Sequence, residues 1–424
     1  MGGNGLRRSG LVVTMMTALA IGCSSETTDT PIAGGADWQV RIQTTIEPGT
    51  ETERCQFFVV PEGGLWIQRE ASQMGAGVHH LLLWTSRYDT IPTENNRGEP
   101  VDTSREFDCP TGPNATWDLG AVAGGQQSPG SAELIDLPEG VAYRLEPGVV
   151  MLNAHVINTT GDPLAVDASI DMFAVPEADV TDEAGVTFWY NYFIKVPARA
   201  SASARMRCPV PSDVSLVNAQ SHMHRRGRTY SADVLDPSGA VLERLYEHEM
   251  GFQSVPVSQW GVGEKTLAAG TSIEFTCGYD NAEDRTVYQG PTSADEMCMF
   301  FSAYYPRDRA FEWCTPEALV DGPPSFGGTF FGTGTASCGE ALTCLRGAHI
   351  DGPSSPELED CVTSTCPAVA PQISAAVTCM MWSRFTTCET ACAAPSEDGS
   401  DPCGDCVIGE CGEQIGACIG ASCG

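Results

Sequence analysis

Closely spaced histidines are the residues of this sequence best placed to do chemistry. Of its seven histidines, His79 and His80 are adjacent, His222 and His224 are separated by one residue, and His155 is a fifth candidate. Side chains at i and i+2 of a strand point to the same face, so the spaced pair could chelate one ion. The adjacent pair diverges on an ideal strand, and both members reach one metal only where the strand twists, bulges or ends.

The segment 149–156 reads as a strand that offers one imidazole on its more polar face. Val150, Leu152 and Val156 would face the core, whereas Asn153 and His155 would lie on the opposite face. Taken alone, this histidine has a simpler interpretation as a hydrogen-bonded core residue.

The five histidines together predict metal binding. Three strand segments of one acidic chain carry them, and packing alone explains such a set less well than shared ligation does. The other two, His248 and His349, are interpreted as solvated loop histidines.

Composition indicates an exported protein built from strands. The 424 residues include 55 acidic and 23 basic side chains, and the formal net charge of -32 argues against nucleic-acid binding. Nineteen cysteines indicate an oxidising compartment and structural disulfides. The 45 glycines and 28 prolines favour short strands and turns over long helices.

The cysteines divide the chain into a body and a tail. Strand-like segments between turn signals predict an all-β body of two tandem antiparallel, jelly-roll-like β-sandwiches, at 38–180 and 181–318. A linker at 319–337 would lead to a small disulfide-rich C-terminal domain at 338–424, which could bind a protein partner. The pair Cys403 and Cys406 could indicate zinc, but disulfides are the commoner use of such a segment.

The N-terminus predicts export and lipid anchoring. Residues 1–22 read as a signal peptide, with Arg7 and Arg8 before a short apolar run. The run ends at Cys23 in a sequence that resembles a bacterial lipobox, which implies lipidation of this cysteine and an anchor in the outer membrane. Residues 23–37 would form a flexible tether. An ordinary cleaved signal is the alternative.

Four separate segments resemble the copper type II, ascorbate-dependent monooxygenases, and they occur in that family's order. They are 77–83 (Gly-Val-His-His-Leu-Leu-Leu), 152–155 (Leu-Asn-Ala-His), 220–224 (Gln-Ser-His-Met-His) and 292–298 (Thr-Ser-Ala-Asp-Glu-Met-Cys).

The resemblance implies an enzyme with two coppers per chain, which face each other across a cleft between the sandwiches. Ascorbate or a similar reductant would supply electrons, and dioxygen would hydroxylate a C–H bond of a small substrate. Imidazoles bind copper in both redox states, and a thioether favours Cu(I). The implied ligands are His79, His80 and His155 for the electron-transfer copper, and His222, His224 and Met297 for the catalytic, oxygen-binding copper.

The resemblance also implies the body's disulfides and two substrate residues. Gln220 stands where peptidylglycine-type members have an arginine, and Phe301 where they have a tyrosine, which argues against peptide amidation. Asn153 and Asp295 are candidates for orienting the imidazoles. The implied bridges are Cys55–Cys109, Cys208–Cys314 and Cys277–Cys298.

Two other functions remain open from the sequence. A copper-binding or copper-storage protein on the same fold would use the same ligands without turnover. A surface scaffold or adhesin would use the cysteine-rich tail as an interaction module and would not depend on the histidines.

Overall fold

The computed structural model describes residues 35–109, 112, 116–127, 129, 133–249, 255–314, 328–348, 350, 355–392 and 401–424. The signal segment, Cys23, most of the tether, residues 319–327 of the linker and His349 lie outside these ranges. Residues 36–424 form one compact unit. No helix in the described ranges is both long and apolar enough to cross a bilayer.

The body is built from strands, as predicted. Those of the first half are β1 Trp38–Ile46, β2 Glu51–Val59, β3 Leu65–Met74, β4 Val78–Ser86, β5 Phe107–Asp108, β6 Leu119–Gln126, β7 Val141–Leu145, β8 Val149–Ile157 and β9 Leu164–Ala174. Those of the second half are β10 Asp182–Tyr190, β11 Lys195–Val196, β12 Ser201–Pro209, β13 Val214–Leu216, β14 Asn218–His222, β15 Gly227–Leu235, β16 Val241–Glu249, β17 Ser258–Gln259, β18 Thr266–Leu267, β19 Ser272–Asp280, β20 Val287–Tyr288, β21 Met299–Tyr305 and β22 Thr329–Phe331.

Two sandwiches share one long sheet. In the first half, strands β1-β9-β3-β7 face a five-stranded sheet of order β5-β2-β8-β4-β6. In the second half, β10-β21-β13-β18 and β14 face the sheet β16-β15-β19-β12-β22. The parallel pairing of β7 with β10 joins the two halves into one ten-stranded sheet. The sandwiches are therefore held side by side by backbone hydrogen bonds as well as by side chains.

Alternation along β8 follows the predicted pattern. Val150, Leu152 and Val156 pack inside the first sandwich. Asn153 and His155 lie on the opposite face, and both are almost fully buried. This second face is buried because the second half of the chain covers it.

An apolar seam joins the two halves next to the predicted metal ligands. Leu82 and Trp84 of β4 belong to one hydrophobic cluster with Met299 and Phe301 of β21. Phe188 bridges the two strands, with its ring centroid 4.9 Å from those of Trp84 and Phe301. Burial of aromatic rings is among the larger contributions to such contacts.

The C-terminal region is helical and disulfide-rich. Six bridges cross-link it: Cys338–Cys418, Cys344–Cys361, Cys366–Cys423, Cys379–Cys411, Cys388–Cys406 and Cys392–Cys403. The body's short helix is α1 Arg309–Trp313, and those of the C-terminal region are α2 Cys338–Gly347, α3 Pro356–Thr363, α4 Ala370–Phe385, α5 Glu389–Cys392, α6 Pro402–Glu410 and α7 Gly412–Ile419.

This region shares part of its core with the second sandwich, and Cys388, Val407 and Cys411 form a smaller hydrophobic cluster within the region. Side chains of α2, α3 and α4 share one hydrophobic cluster with the second sandwich. Part of the predicted linker is also structured, since β22 pairs with β12. The cysteine pattern predicts cross-links, but it carries no information on which surface the helices cover.

Candidate metal centre

A β-bulge gathers the first three histidines. Along β4 and β8, Val78 pairs with Val156 and His80 with His155, so His79 is an extra residue in the ladder. One ring nitrogen from each of the three imidazoles lies within 4.8 Å of the others. The bulge meets the condition that the sequence set for adjacent histidines to reach one metal.

Gly77 makes this bulge possible. Its φ of +81° lies in the left-handed region, and a Cβ there would meet Cδ2 of Leu164 at 2.5 Å. A side chain at this position would therefore strain the backbone just before the adjacent histidines.

The spaced pair lies at the end of β14. His222 is the last residue of the strand and His224 follows it, with ring centroids 5.3 Å apart. Met223 between them points into the core of the second sandwich. The alternation predicted for this tripeptide therefore directs both imidazoles to one side.

The two histidine sets form a single cluster, and the open cleft expected between them is absent from the described residues. The ring centroid of His222 lies 6.0 Å from that of His79 and 5.6 Å from that of His80. The aromatic seam explains the difference, because it closes the two halves together beside the imidazoles. Sequence motifs place ligands on strands but do not set the distance between two sandwiches.

Burial favours the neutral form of His79, His80, His222 and His224. Burial, with a smaller contribution from neighbouring imidazoles, lowers the pKa of His79 to about 4 and that of His224 to about 3. For His80 and His222, burial is again the largest cause and holds the pKa well below its usual value. Neutral imidazoles offer the lone pairs that a metal needs.

Unpaired ring nitrogens show that the cluster fits a metal. Four of them are buried without a hydrogen-bond partner in the described part of the chain, a costly state unless another ligand is present. Neutral nitrogen donors grouped in this way suit copper among the common metals. The four atoms are Nδ1 of His80, Nδ1 of His155, Nε2 of His222 and Nε2 of His224.

Glu51 orients His155. Its Oε1 lies 2.9 Å from Nε2 of His155, which directs the unpaired Nδ1 toward the other imidazoles. The same carboxylate accepts bonds of 2.7 Å from the backbone NH and the hydroxyl of Ser293. The hydrogen bond from His155 is the main cause that lowers the pKa of Glu51 to about 2. One side chain therefore contacts both halves of the site.

His224 is oriented by a backbone carbonyl and a buried carboxyl. Its Nδ1 lies 3.2 Å from the carbonyl oxygen of Asp295, which leaves the lone pair of Nε2 available to a metal. Glu296, which is fully buried, accepts from the backbone NH groups of His224 at 3.0 Å and Arg226 at 2.8 Å. Burial raises the pKa of Glu296 to about 7. This pair of contacts joins the His-x-His turn to the segment that carries Met297.

Met297 lies on that segment at the edge of the seam. Its partly buried side chain packs against the cluster that contains Met299 and Phe301, and its carbonyl oxygen accepts from the Tyr279 hydroxyl at 2.9 Å. Cys298 points the other way, into the core of the second sandwich. Met297 is thus one residue from a carboxyl bonded to His224, and ligation by its thioether stays a prediction.

The predicted substrate residues are buried side by side. Gln220 pairs with Phe301 across β14 and β21, and neither has appreciable exposure. Nε2 of Gln220 donates to the carbonyl of Glu133 at 3.3 Å, whereas its Oε1 has no partner among the described residues. An unpaired acceptor therefore lies two residues before His222, on the same face of the strand.

Of the two predicted orienting residues, one acts differently from expectation and one does not contact an imidazole. Asp295 uses its backbone carbonyl, and its carboxylate accepts from Thr292 at 2.7 Å instead. Asn153 donates to Glu53 at 2.6 Å.

Sequence reasoning missed Glu51, Glu296 and Arg226. Acidic residues at 51 and 53 lie on one face of β2, which is a usable signal, but only the register with β8 places them beside His155. Arg226 reads as one of several surface arginines in the printed sequence, yet it is 3% exposed.

The body's six cysteines form the pairs that the resemblance implies. The Cα–Cα distances are 6.0 Å for Cys55–Cys109, 5.2 Å for Cys208–Cys314 and 5.9 Å for Cys277–Cys298. The last bridge is adjacent to Met297 and fixes the backbone there.

Comparison with known proteins gives one family match, which covers most of the second sandwich. Residues 193–320 match the family described as copper type II ascorbate-dependent monooxygenase, C-terminal domain. This part of the chain is therefore similar to the C-terminal domain of the copper type II, ascorbate-dependent monooxygenases. The match contains His222, His224 and Met297, whereas the first sandwich and the cysteine-rich region lie outside it.

Other comparisons add no functional information. None of the curated proteins matches the chain. Among solved structures, the PBCV-1 virus capsid is 8% identical, with coverage of 63% of this chain and 94% of that chain and a TM-score of 0.19. The infectious bursal disease virus Gx strain structure is 8% identical, with coverage of 64% and 76% and a TM-score of 0.14. TM-scores of this size support no conclusion about fold.

Proposed function

We propose that this protein is a copper-dependent monooxygenase that hydroxylates a C–H bond of a small substrate with dioxygen and ascorbate or a similar one-electron reductant. The observation that carries the proposal is the cluster of five imidazoles, four of which have a buried and unpaired ring nitrogen. The match of residues 193–320 to the copper monooxygenase family supports it.

Two coppers per chain would be held by the two histidine sets. His79, His80 and His155 would hold one copper, and His222, His224 and Met297 the other. Bound copper would supply one-electron redox chemistry and oxygen activation. The short distance between the sets supports electron delivery through the imidazole cluster, without an intervening solvent cleft.

The protein's own residues orient and shield this chemistry. Glu51 fixes which nitrogen of His155 faces the cluster, and the carbonyl of Asp295 does the same for His224. The apolar seam around Trp84 and Phe301 keeps water from the imidazoles.

The substrate would carry a hydrogen-bond donor. Oε1 of Gln220 is the buried acceptor on the face that holds His222, and a donor group that reached it would satisfy it. Because Gln220 and Phe301 are fully buried, entry would require the seam to open.

The test is ascorbate-dependent oxygen uptake by the copper-loaded ectodomain with a panel of small amines and aromatic compounds. We expect uptake to match hydroxylated product in a one-to-one ratio and to be lost in His222→Ala. Uptake without product from any compound would contradict the proposal.

A copper-binding protein without turnover is the second candidate. The burial of both predicted substrate residues favours it. This candidate predicts tight copper binding, no hydroxylated product and no change in behaviour when Gln220 is replaced.

Export and lipid anchoring are part of the proposal. Nine disulfides in the described chain fit an oxidising compartment. Labelling with radioactive palmitate should mark the outer-membrane protein and not Cys23→Ala, and a label-free protein in the periplasm would favour an ordinary cleaved signal.

A further inference from the structure

The cysteine-rich region is attached to the second sandwich by strand and core. Phe330 of β22 is fully buried, with its ring centroid 4.5 Å from that of Phe193. Its backbone NH donates to the hydroxyl of Ser374, on α4, at 2.8 Å. Such contacts belong to the fold of the body, so this region is more than an appended binding module.

Helix α3 brings one buried carboxyl to the body. Glu359 has no exposed surface, and its Oε2 accepts from the backbone NH of Gln289 at 2.9 Å. On the same helix, Cys361 is bridged to α2, and Asp360 forms an ion pair of 2.9 Å with Lys195. The disulfide therefore fixes the helix that carries Glu359.

The segment next to Gln289 continues this contact to the metal site. The carbonyl of Tyr288 accepts from the NH of Glu296 at 3.0 Å, and the NH of Gly290 donates to the carbonyl of Glu296 at 3.2 Å. Glu296 in turn holds the backbone of His224 and precedes Met297. Hydrogen bonds, linked by the backbone of 288–290 and the side chain of Glu296, therefore connect α3 to the His-x-His turn.

We propose that the cysteine-rich region positions the metal-binding segment 294–298 through its contact with Gln289, with Glu359 as the positioning residue. The inference rests on the proposed function, since it assigns the region to the oxygen-binding copper. The backbone contact between 288–290 and Glu296 consists of two hydrogen bonds, and anchoring of Gln289 between them limits the local opening of this contact.

Burial supports the choice of a matched substitution. Burial raises the pKa of Glu359 to about 9, although the hydrogen bond from the Gln289 backbone acts in the opposite direction. The carboxyl is therefore neutral at pH 7, and Glu359→Gln keeps its shape, its charge and an accepting oxygen. Glu359→Ala removes the acceptor, and Glu357→Ala on the exposed side of α3 is the control.

The experiment measures amide hydrogen exchange of the full chain without metal, and the Cu(II) spectrum of the loaded chain. In Glu359→Ala we expect exchange of the Gly290 and Glu296 amides to rise about tenfold or more, with no change along β4. The spectrum of the copper at His222 and His224 should change while that of the other copper does not. Glu359→Gln and Glu357→Ala should match the unmodified protein.

Unchanged exchange at Gly290 and Glu296 in a folded Glu359→Ala variant would overturn the inference. It would also be overturned if Glu359→Gln raised this exchange as much as Glu359→Ala does. If the alanine variant does not fold, Glu359→Asp retracts the carboxyl by one methylene and should give the same pattern. If amide exchange rises in Glu359→Ala but the chain binds no copper, the positioning role holds and the proposed function fails. If the chain binds copper and turns over substrate but amide exchange does not change, the proposed function holds and the positioning role fails.

Discussion

Glu51 binds His155 and Ser293 with one carboxylate, across the two halves of the site. The 2.9 Å contact fixes the imidazole, and the two 2.7 Å bonds hold the loop that leads to Met297. Because the loop belongs to the second half of the chain, this single side chain couples the orientation of one ligand to the closure of the seam.

Replacement of Glu51 by Ala should therefore affect both histidine sets. We expect copper affinity to fall about tenfold to a hundredfold, as for other residues that orient metal ligands. Equilibrium dialysis against a copper chelator measures it. Ser293→Ala removes one of the three contacts and should have a smaller effect, and Glu47→Gln, on the exposed turn before β2, should have none. Equal affinities for all four proteins would contradict the orienting role.

Met297→Ile should abolish hydroxylation and spare the fold. The two side chains have similar volumes, so unfolding free energy should change by less than about 1.5 kcal/mol. Copper held by His79, His80 and His155 should stay bound, which metal analysis of the purified variant checks. Met299→Ile is the matched control, since Met299 lies in the same seam and has no proposed ligand role. Full activity in Met297→Ile would rule out the thioether as a ligand.

Acid should destabilise the metal-free protein steeply. The pKa values of His79 and His224 are lowered from 6.5 to about 4 and about 3, so the unfolded chain binds more protons than the folded chain below pH 6.5. Stability is complete above pH 6.5 and falls as the pH falls toward 4, by about 1.4 kcal/mol per pH unit for each such histidine. Urea unfolding at several pH values measures this slope.

His79→Asn is the control for that slope, because its amide does not titrate. It should make the dependence on pH shallower by about one proton. The same slope in both proteins would show that the imidazole is solvated and titrates normally.

Gln220→Leu should separate substrate binding from metal binding. Loss of the buried acceptor removes a hydrogen bond of about 1–3 kcal/mol, so KM for a donor-bearing substrate should rise about tenfold or more. Copper content should be unchanged. Steady-state kinetics on the first active compound decides the point, and an unchanged KM would exclude Gln220 from the substrate site.

The sequence predicts well on which face of a strand each candidate ligand lies, because strand alternation is a local property. It places His222 and His224 on one face, and Met297 and Cys298 on opposite faces. It also predicts that His79 and His80 can reach one metal only where the strand is distorted, and the structure has a bulge there.

Long-range register is what the sequence does not predict. Glu51 meets His155 only because β2 and β8 pair as they do, and Glu359 reaches Gln289 only because α3 packs on the body. The closure of the two halves follows from aromatic packing of Trp84, Phe188 and Phe301, which no single segment encodes.

Copper stoichiometry of the ectodomain with single histidine substitutions tests the central claim most directly. We predict two coppers per chain in the unmodified protein and in His349→Ala, and one in each of His155→Ala and His222→Ala, each with a different remaining Cu(II) spectrum. One copper per chain that is lost on replacement of either histidine would contradict two adjacent sites.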